Sequence, residues 1–278
     1  MIDSKGPGHI SSIAAFSEPF KAELERAKQA AAAASFAWYP YDSLSNFPLV
    51  DRLLQADNRD FSSLVEGRPI LDLGCADGAN AFFLERLGFE VDAIDHAPTN
   101  FNNMRGVRTL KAAGNSGIGI HEVDLDSQFR LPRDRYGLVL FFGLLYHLKN
   151  PFYVLETLAL QTRFCLLSTR VARFGPDRQR LLHDLPVAYL VAPHETNNDS
   201  TNYWIFSRTG LERLFSRTGW RMRQYLSVGN VENSDPASQD GDERAFCLLE
   251  SEREESARSQ APPDKRSKLR QTLNNFFG

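Results

Sequence analysis

The chain has 278 residues, of which 42% are hydrophobic and 24% charged. This composition is typical of a globular protein with one ordinary domain and additions, or two small domains, and it excludes a collagen, a coiled coil and a wholly disordered chain. The formal charge of −3 gives no global attraction to nucleic acid or to an anionic membrane. The three cysteines are far apart in the sequence and odd in number. They therefore predict neither a disulfide framework nor a zinc site, and a reducing compartment is expected.

No membrane or export signal is visible in the sequence. The longest apolar run, Leu138 to Tyr146, has nine residues, whereas a membrane-spanning helix needs about twenty. The N-terminus has no basic stretch followed by an apolar one, so no secretory signal is predicted. We expect a cytoplasmic protein without a membrane partner.

The two ends of the chain differ in composition from its middle. Residues 1–15 carry Gly, Pro and Ser and predict a loose arm, and residues 19–34 and 47–54 predict helices. Residues 251–278 are polar and charged and predict a flexible tail with a short closing helix at 269–277. We therefore divide the chain into a helical and aromatic extension (1–60), a main domain (61–250) and the tail.

The main domain alternates between strands and helices. Five short apolar runs predict strands at residues 69–73, 90–94, 119–123, 137–142 and 163–168. Helical patterns lie between them at residues 79–87, from 99 onward, and at 151–160. Strands separated by helices favour βαβ units and a parallel sheet.

The last part of the main domain predicts a different connection. After an insertion at residues 171–203, Thr209 to Glu212 has the spacing of a capping box and predicts a helix that Gly219 ends. Residues 221–228 and 244–249 then predict two strands with no helix between them, which favours an antiparallel pair. The expected fold is α/β, a doubly wound, mostly parallel seven-stranded sheet with an antiparallel edge hairpin at its C-terminal end.

The segment LDLGCADG, residues 71–78, leaves a strand and enters a helix, which is the context of a nucleotide-binding turn. Gly74 and Gly78 allow the backbone to pass close to a ligand. Asp72 and Asp77 flank this turn and would repel a pyrophosphate, so they favour a cationic ligand such as an ammonium or a sulfonium. A tight strand-to-helix connection without a ligand is the alternative.

Two further carboxylates follow predicted strands. Asp95 ends the second strand 21 residues after Gly74, which is about the distance at which a carboxylate binds ribose hydroxyls in nucleotide-binding βαβ units. Asp124 ends the third predicted strand, where an adenine amino group could be bound, with Glu122 and Asp126 as competitors. A cap of the following helix is the alternative role for Asp95.

Four segments in this order resemble the class I S-adenosylmethionine-dependent methyltransferases: LDLGCADG, VDAIDHAP, VDLD and YGLVLFFGLLYHLKNP. Residues 67–170 resemble the nucleotide-binding half of that family, and residues 205–250 resemble its closing helix and hairpin. The segment LYHLKNP, residues 145–151, is similar to the wobble-uridine tRNA methyltransferase-like group, which includes the tRNA uridine 5-oxyacetic acid carboxymethyltransferases.

The resemblance implies a Rossmann-like fold that binds S-adenosyl-L-methionine. It places Gly74, Ala76 and Gly78 under the methionine part of the cofactor, and Asp72 and Asp77 near its ammonium. It also places Asp95 on the ribose and Asp124 near the adenine. Phe142 and Gly143 would form a floor beneath the sulfonium.

The carboxymethylating members use a lysine in a W-R-K-G-P segment to hold an extra carboxylate on their cofactor. The corresponding region here, Trp38 to Asp42, has no lysine. Arg244 and Tyr146 match two further carboxylate-binding positions. Because the lysine is missing, ordinary S-adenosylmethionine is the expected cofactor.

The candidate catalytic residues are Tyr146 and His147, just beyond the fourth predicted strand, at the edge where open α/β sheets bind ligands. His147 could take a proton at neutral pH, or it could bond the loop backbone. Tyr146 is expected to be a wall or a hydrogen-bond donor near the methyl group.

We interpret the insertion 171–203 as part of the substrate pocket or a lid, with a polar surface loop as the alternative.

Other patterns have a weaker functional interpretation. His194 and Glu195 are adjacent but have no third candidate ligand, so no metal site is predicted. The aromatic residues Trp38, Tyr39 and Tyr41 fit either stacking on a base or sugar or core packing. Two runs of arginine are expected to be solvated helix faces rather than a phosphate-binding surface: Arg170, Arg173, Arg178 and Arg180, and Arg208, Arg213, Arg217, Arg221 and Arg223.

Three functions remain open at this point. The first is a methyltransferase acting on an O or N atom of a small molecule or glycan. The second is a wobble-uridine tRNA-modifying methyltransferase, which the narrower resemblance favours and the acidic isoelectric point, near 6.1, does not. The third is a non-catalytic cofactor-binding subunit. RNA binding that weakens steeply with salt would distinguish the second from the first.

Overall fold

A computed structural model describes residues 10–31 and 36–253 of the chain. The strands are β1 (Ile70–Leu73), β2 (Val91–Asp95), β3 (Gly119–Glu122), β4 (Tyr136–Phe142), β5 (Thr162–Arg170), β6 (Ala188–Leu190), β7 (Trp204–Phe206), β8 (Trp220–Gly229) and β9 (Glu243–Ser251). The helices are α1 (Ala14–Ala30), α2 (Phe47–Ala56), α3 (Phe61–Val65), α4 (Ala79–Arg86), α5 (Arg105–Gly114), α6 (Pro151–Gln161) and α7 (Arg208–Arg217). Two short 3-10 helices lie at Ser43–Asn46 and Leu145–His147.

Seven strands form one sheet in the order β3-β2-β1-β4-β5-β9-β8. Strands β1 to β5 are parallel, and β9 is antiparallel to both β5 and β8. The strand order reverses between β1 and β4, so a crevice opens at the carboxyl ends of these strands, where ligands bind in open α/β sheets. The predicted fold class is confirmed.

Both faces of the sheet are covered by helices. Along β4 the apolar side chains alternate between the two layers of core, with Leu138 and Leu140 on one face and Val139 and Phe141 on the other. Helices α1 to α5 cover the first face, and α6 and α7 cover the second. A strand buried on both faces requires a nearly continuous apolar run, which the sequence of β4 provides.

The N-terminal residues that precede α1 are not a loose arm where the structure describes them. Ile10 and Ile13 are buried, and α1 begins at Ala14. The carboxylate of Asp51 in α2 accepts hydrogen bonds from the main-chain N–H groups of Ile13 and Ala14 at 3.0 and 3.1 Å. A carboxylate at a helix N-terminus satisfies donors that the helix leaves unpaired. The prediction therefore missed an anchor that comes from a distant helix.

The start of α7 also differs from the prediction. Its N-cap is Ser207, whose hydroxyl accepts from the N–H of Gly210, whereas the hydroxyl of Thr209 donates to the carbonyl of His183. Glu212 pairs with Arg208 instead of reaching back to the N-cap. The helix was predicted at the right place with the wrong capping residue, because its first turn is bonded to the insertion.

Three other element boundaries differ from the prediction. The polar stretch from residue 99 is a series of turns, and α5 begins only at Arg105. Strand β3 ends at Glu122, so Asp124 follows the strand by two residues and does not end it. Strand β9 continues through Ser251, the first residue of the predicted tail. The predicted closing helix at 269–277 lies outside the described residues.

The insertion 171–203 is partly regular. Its strand β6 pairs antiparallel with β7 to form a separate two-stranded sheet. An isolated bridge between Val171 and Phe206 connects β7 to the chain that leaves β5. The insertion is thereby held at the carboxyl end of the parallel strands. In the part of the chain that the structure describes, no helix has the length and apolar character needed to cross a membrane.

Candidate active site

The glycine turn between β1 and α4 has a backbone that demands small residues. Gly74 and Gly78 have φ angles of +74° and +82°. A Cβ on Gly78 would lie 2.7 Å from Val107 and 2.8 Å from Phe82, so packing as well as backbone conformation requires glycine there. Ala76, between them, also has a positive φ of 50°.

Asp72 is buried beneath this turn, with 2% of its surface exposed. It accepts hydrogen bonds from Asn80 and the backbone of Ala81, but within the described residues its Oδ2 has no hydrogen-bond partner. Burial raises the pKa of Asp72 from 3.8 to about 7. A buried carboxylate with an unsatisfied oxygen is costly unless a donor or a cation completes it. The ammonium of S-adenosylmethionine has the chemistry that would do so, so the residues present fit this cofactor.

Asp95, at the end of β2, is tied to the same turn. Its Oδ2 accepts from the N–H of Ala76 at 2.8 Å and from the amide of Asn100 at 3.0 Å, and its Oδ1 accepts from the N–H of His96. Burial raises the pKa of Asp95, and these hydrogen bonds oppose the rise. The carboxylate is therefore fixed in direction by three donors, while each oxygen can still accept from a ligand hydroxyl.

Asp77 lies on the other side of the turn and joins distant segments. Its Oδ2 accepts from the N–H of Tyr39 at 2.6 Å, and its Oδ1 accepts from the amide of Asn102 at 2.7 Å. Gly106 packs so closely that a Cβ there would collide with the Asp77 carboxylate. These contacts explain the burial of Asp77 by structure alone, and its predicted contact with the ammonium stays a prediction.

The three acidic candidates near β3 have different surroundings. Asp126 accepts from the N–H groups of Lys149 and Asn150, and the exposed Glu122 pairs with Arg108 at 3.2 Å. Asp124 is half-buried and accepts from the N–H of Asp126. Each of the two competitors has partners of its own, and the place of Asp124 beside the adenine stays a prediction.

The candidate floor of the crevice lies at the end of β4. Gly143 has a φ of +65°, and its N–H donates to the carbonyl and the hydroxyl of Ser168 on β5 at 2.9 and 3.1 Å. A Cβ on Gly143 would lie 3.4 Å from the hydroxyl of Tyr146, so this hydroxyl stands directly over the glycine. Phe142 is half-buried, with its ring 6.5 Å from that of Phe47. The structure thus brings Phe142, Gly143 and Tyr146 together.

Tyr146 faces two other groups of the crevice wall. The Nη1 of Arg244 donates to its hydroxyl at 3.4 Å, and the guanidinium carbon lies 5.9 Å from its ring centroid. Tyr39 also lies within the electrostatic influence of Tyr146 and Arg244. Burial raises the pKa of Tyr39 to about 12. Tyr39 packs edge-on against Tyr41 and Phe101, whose side chains are mostly exposed. An aromatic group therefore stands at one side of the crevice.

His147 is bonded to the insertion. Its Nδ1 lies 3.1 Å from the carbonyl oxygen of Thr201 and 2.9 Å from the hydroxyl of the same residue. That hydroxyl donates to Asp199 at 2.7 Å. Burial lowers the pKa of His147, and hydrogen bonding to Thr201 and the charge of Asp199 oppose the shift. Both sequence interpretations of His147, a base and a loop anchor, are compatible with these contacts.

The arginine runs are not simple solvated surfaces. Arg170 is 2% exposed and pairs with Asp242 at 3.0 Å, so the expectation of a solvated face is wrong for this residue. Arg173 and Arg178 pair with the buried Glu243 and Asp235. In the second run, Arg208 pairs with Glu212, Arg221 with Glu250, and Arg223 with both Asp57 and Glu250. The arginine side chains in these ion pairs therefore neutralise carboxylates of the protein itself.

The pair His194 and Glu195 has ordinary hydrogen-bond partners. His194 contacts the side chain of Asn198, and Glu195 accepts from Tyr189 and from the N–H of Ala192. Within residues 10–31 and 36–253, no group of three or more His, Cys, Asp or Glu side chains could hold a metal ion.

Sequence reasoning missed several residues of this site. Asn100 and Asn102 bond the carboxylates of Asp95 and Asp77, and Thr201 bonds His147. The signal for the first two was present, because the run Asn100-Phe-Asn-Asn favours turns over a helix. The contact to Thr201 spans 54 residues and has no local signal.

Comparison with known proteins identifies the class to which this geometry belongs. The sheet order, the glycine turn and the carboxylates at the ends of β1 and β2 form the fold of an S-adenosylmethionine-dependent methyltransferase. Residues 44–225 match the profile of a family described as a methyltransferase domain, which is more than half of the chain. The chain belongs to this family of S-adenosylmethionine-dependent methyltransferases.

Solved structures share the fold at low sequence identity. The N-terminal domain of EvdMO1 with SAH bound superimposes with a TM-score of 0.51 and 17% identity, covering 83% of this chain and 96% of that one. The same domain in the presence of SAH and D-fucose gives a TM-score of 0.52 and 18% identity, with the same coverage. No curated protein matches the sequence.

Proposed function

We propose that this methyltransferase transfers the methyl group of S-adenosylmethionine to an O or N atom of a small molecule or glycan. The observation that carries the proposal is the hydrogen bonding of the insertion to the segment that follows β4. The N–H of Tyr203 donates to the carbonyl of Tyr146 at 2.8 Å, and Thr201 bonds His147. A loop bonded to the floor of the crevice favours a small acceptor group over an extended polymer surface.

The proposed cofactor-binding residues lie on β1 and its glycine turn and at or just after the ends of the strands β2, β3 and β4. In the proposed site, the unsatisfied oxygen of Asp72 receives the ammonium, and Asp95 accepts from the ribose hydroxyls. Gly74, Ala76 and Gly78 pass beneath the methionine part, with Asp77 at the far side of the turn. Asp124 stands near the adenine, and Phe142 and Gly143 form the floor.

S-adenosylmethionine supplies an electrophilic methyl group on a sulfonium. Methyl transfer is an in-line displacement, for which most of the catalysis comes from holding the acceptor in position and excluding water. In the proposed mechanism, Tyr146 and Arg244 form the wall above Gly143, the insertion excludes water, and His147 takes a proton from the acceptor where it carries one.

A wobble-uridine tRNA methyltransferase is the second candidate. The aromatic group of Tyr39, Tyr41 and Phe101 favours it, because exposed rings beside a crevice can stack on an unstacked base. The first arginine run does not favour it, since Arg170, Arg173 and Arg178 are engaged by the protein's own carboxylates.

The test measures release of S-adenosylhomocysteine with two acceptor panels, one of hydroxylated and amino glycosides and small molecules, the other of unmodified tRNA. We expect turnover with a member of the first panel and a loss of on the order of a hundredfold in His147→Gln, the usual contribution of a general base. His194→Gln changes an exposed histidine that contacts Asn198; it is the matched control and should retain activity. Turnover with tRNA alone, with binding that weakens steeply with salt, would replace the first candidate by the second.

A further inference from the structure

The contacts of His147 determine which of its ring nitrogens can act as a base. Its Nδ1 faces the main-chain carbonyl oxygen of Thr201 at 3.1 Å, and a carbonyl oxygen can only accept a hydrogen bond. In a neutral imidazole one nitrogen donates and the other accepts. Because Nδ1 must carry the proton to donate to this carbonyl, Nε2 carries the free lone pair.

The hydroxyl of Thr201 reinforces the same assignment. It lies 2.9 Å from Nδ1 and donates its own proton to Asp199 at 2.7 Å. A hydroxyl whose proton is committed to a carboxylate presents its lone pairs to its other neighbour. The N–H of Nδ1 is therefore shared between the two oxygens of Thr201. His147 donates to the Thr201 hydroxyl, and this hydroxyl donates to Asp199, so the three residues form a chain of hydrogen bonds.

This chain of hydrogen bonds is held in place by neighbouring segments of the protein. The main-chain N–H of Thr201 donates to Asp199 at 2.9 Å, which fixes the carboxylate against the same residue. The next residue, Asn202, is buried and donates its amide to the carbonyl of Thr196 at 3.1 Å. Thr196 is also buried and bonds the backbone of the loop between β8 and β9 at Pro236 and Ala237. The loop that carries Thr201 is thus anchored on both sides.

We infer that Thr201 is a positioning residue that fixes His147 with Nε2 as the proton acceptor, that Asp199 stabilises the imidazolium through the Thr201 hydroxyl, and that this base serves an acceptor that carries a proton, such as a hydroxyl group. This inference rests on the proposed function and specifies its acceptor. A hydroxyl oxygen is a poor nucleophile until its proton is removed, so a base whose lone pair has a fixed direction would favour the transfer.

The proposed step balances as follows. The acceptor oxygen forms a bond to the methyl carbon as the carbon–sulfur bond breaks, with its electron pair going to sulfur. The hydroxyl proton passes to Nε2, and the resulting imidazolium later returns this proton to solvent. Burial lowers the pKa of His147 and the charge of Arg244 acts in the same direction, so the ring is neutral before the step, whereas the charge of Asp199 acts in the opposite direction once the ring is protonated.

The test is long-range ¹H–¹⁵N nuclear magnetic resonance of the histidine side chains, recorded as a function of pH in the full chain with and without S-adenosylhomocysteine. It needs no acceptor. The wild type should show His147 as the tautomer with the proton on Nδ1. Thr201→Ser, which retains the hydroxyl, should titrate as the wild type does. Thr201→Val and Asp199→Asn should both lower the pKa of His147, because each removes the link to the negative charge.

A proton on Nε2 in the wild type would overturn the inference, and so would identical His147 titrations in the wild type, Thr201→Val and Asp199→Asn. Thr201 is exposed, so its substitution leaves the core intact, and Asp199→Asn provides an independent variant. Calorimetric titration of S-adenosylhomocysteine into the wild type distinguishes a failure of the proposed function from a failure of the role of Thr201. Absence of binding contradicts the proposed function, whereas binding together with the wrong tautomer contradicts only the role of Thr201.

Discussion

Replacing Asp72 by Asn should stabilise the cofactor-free protein and weaken cofactor binding. The carboxylate is 2% exposed, and burial raises its pKa from 3.8 to about 7. An acid whose pKa is higher in the folded state contributes stability that is fully present below its unfolded pKa and is lost as the pH rises through its folded pKa. Wild-type stability should therefore fall between pH 4 and 7, a window set by the values 3.8 and about 7.

The magnitude follows from this displacement. At about 1.36 kcal/mol for each pH unit, ionisation of Asp72 costs the folded, cofactor-free protein up to about 4 kcal/mol at pH 8. Asparagine has nearly the same volume and no charge, but its amide brings a donor that itself needs a partner, at a cost of about 1–3 kcal/mol. The expected net gain for Asp72→Asn at pH 8 is about 2 kcal/mol, or roughly 4–8 °C in Tm.

The assay is thermal unfolding of the wild type and Asp72→Asn at pH 5 and pH 8, with and without S-adenosylhomocysteine. Without ligand, the variant should have the higher Tm at pH 8, and the difference should shrink at pH 5. With ligand at pH 8, the wild type should gain more than the variant, because its carboxylate binds the ammonium. Glu122→Gln changes an exposed carboxylate at the end of β3, two strands away from β1, and should leave both Tm values nearly unchanged. A variant that is less stable at pH 8 and gains as much as the wild type from the ligand would refute this reasoning.

Three further substitutions test the packing that supports the site. Gly78→Ala should lower stability by about 1–3 kcal/mol, measured by urea unfolding, because the residue has a φ of +82° and its Cβ would lie 2.7 Å from Val107; an unchanged midpoint would contradict this. Asp92→Asn should cost about 1–3 kcal/mol at pH 7 and less towards pH 3. Although burial opposes ionisation, hydrogen bonds from groups that include Tyr136 hold the pKa of Asp92 below 3.8, so its contribution is lost as the pH falls. An equal loss at both pH values would argue against it. Trp220→Phe should cost about 1–3 kcal/mol by removing a buried indole donor to a carbonyl of α6, and a neutral result would show that water replaces the indole.

The sequence was sufficient to predict the order of the main elements because each strand carries a local signal. The run from Tyr136 to Phe142 is apolar throughout, and it is buried on both faces of the sheet. The glycine turn was equally visible, since Gly74 and Gly78 occupy backbone conformations that few other residues adopt. Signals of this kind are contained within a few neighbouring residues, so periodicity and residue type reveal them.

Contacts between distant segments could not be predicted in the same way. The carboxylate of Asp51 anchors the start of α1 from α2, and Ser207 takes the N-cap position that the pattern gave to Thr209. The bond between His147 and Thr201 depends on how the insertion folds back over β4. These features depend on tertiary packing, which overrides local preference.

The roles proposed for the site residues depend on whether Asp95 holds the ribose. Its carboxylate accepts from Ala76, His96 and Asn100, so its direction is fixed before any ligand binds. A charge-assisted hydrogen bond is worth about 1.5–3 kcal/mol, which corresponds to a loss of affinity of roughly tenfold to a hundredfold.

The most direct measurement is calorimetric titration of S-adenosylhomocysteine into the wild type, Asp95→Asn and the control Glu122→Gln. We expect a Kd on the order of 1 μM for the wild type and the control, and a value at least ten times higher for Asp95→Asn. Thermal unfolding of each variant shows whether the fold is retained, since the substitution also removes support from the glycine turn. Equal affinities in a folded Asp95→Asn protein, or no binding to the wild type, would contradict the account.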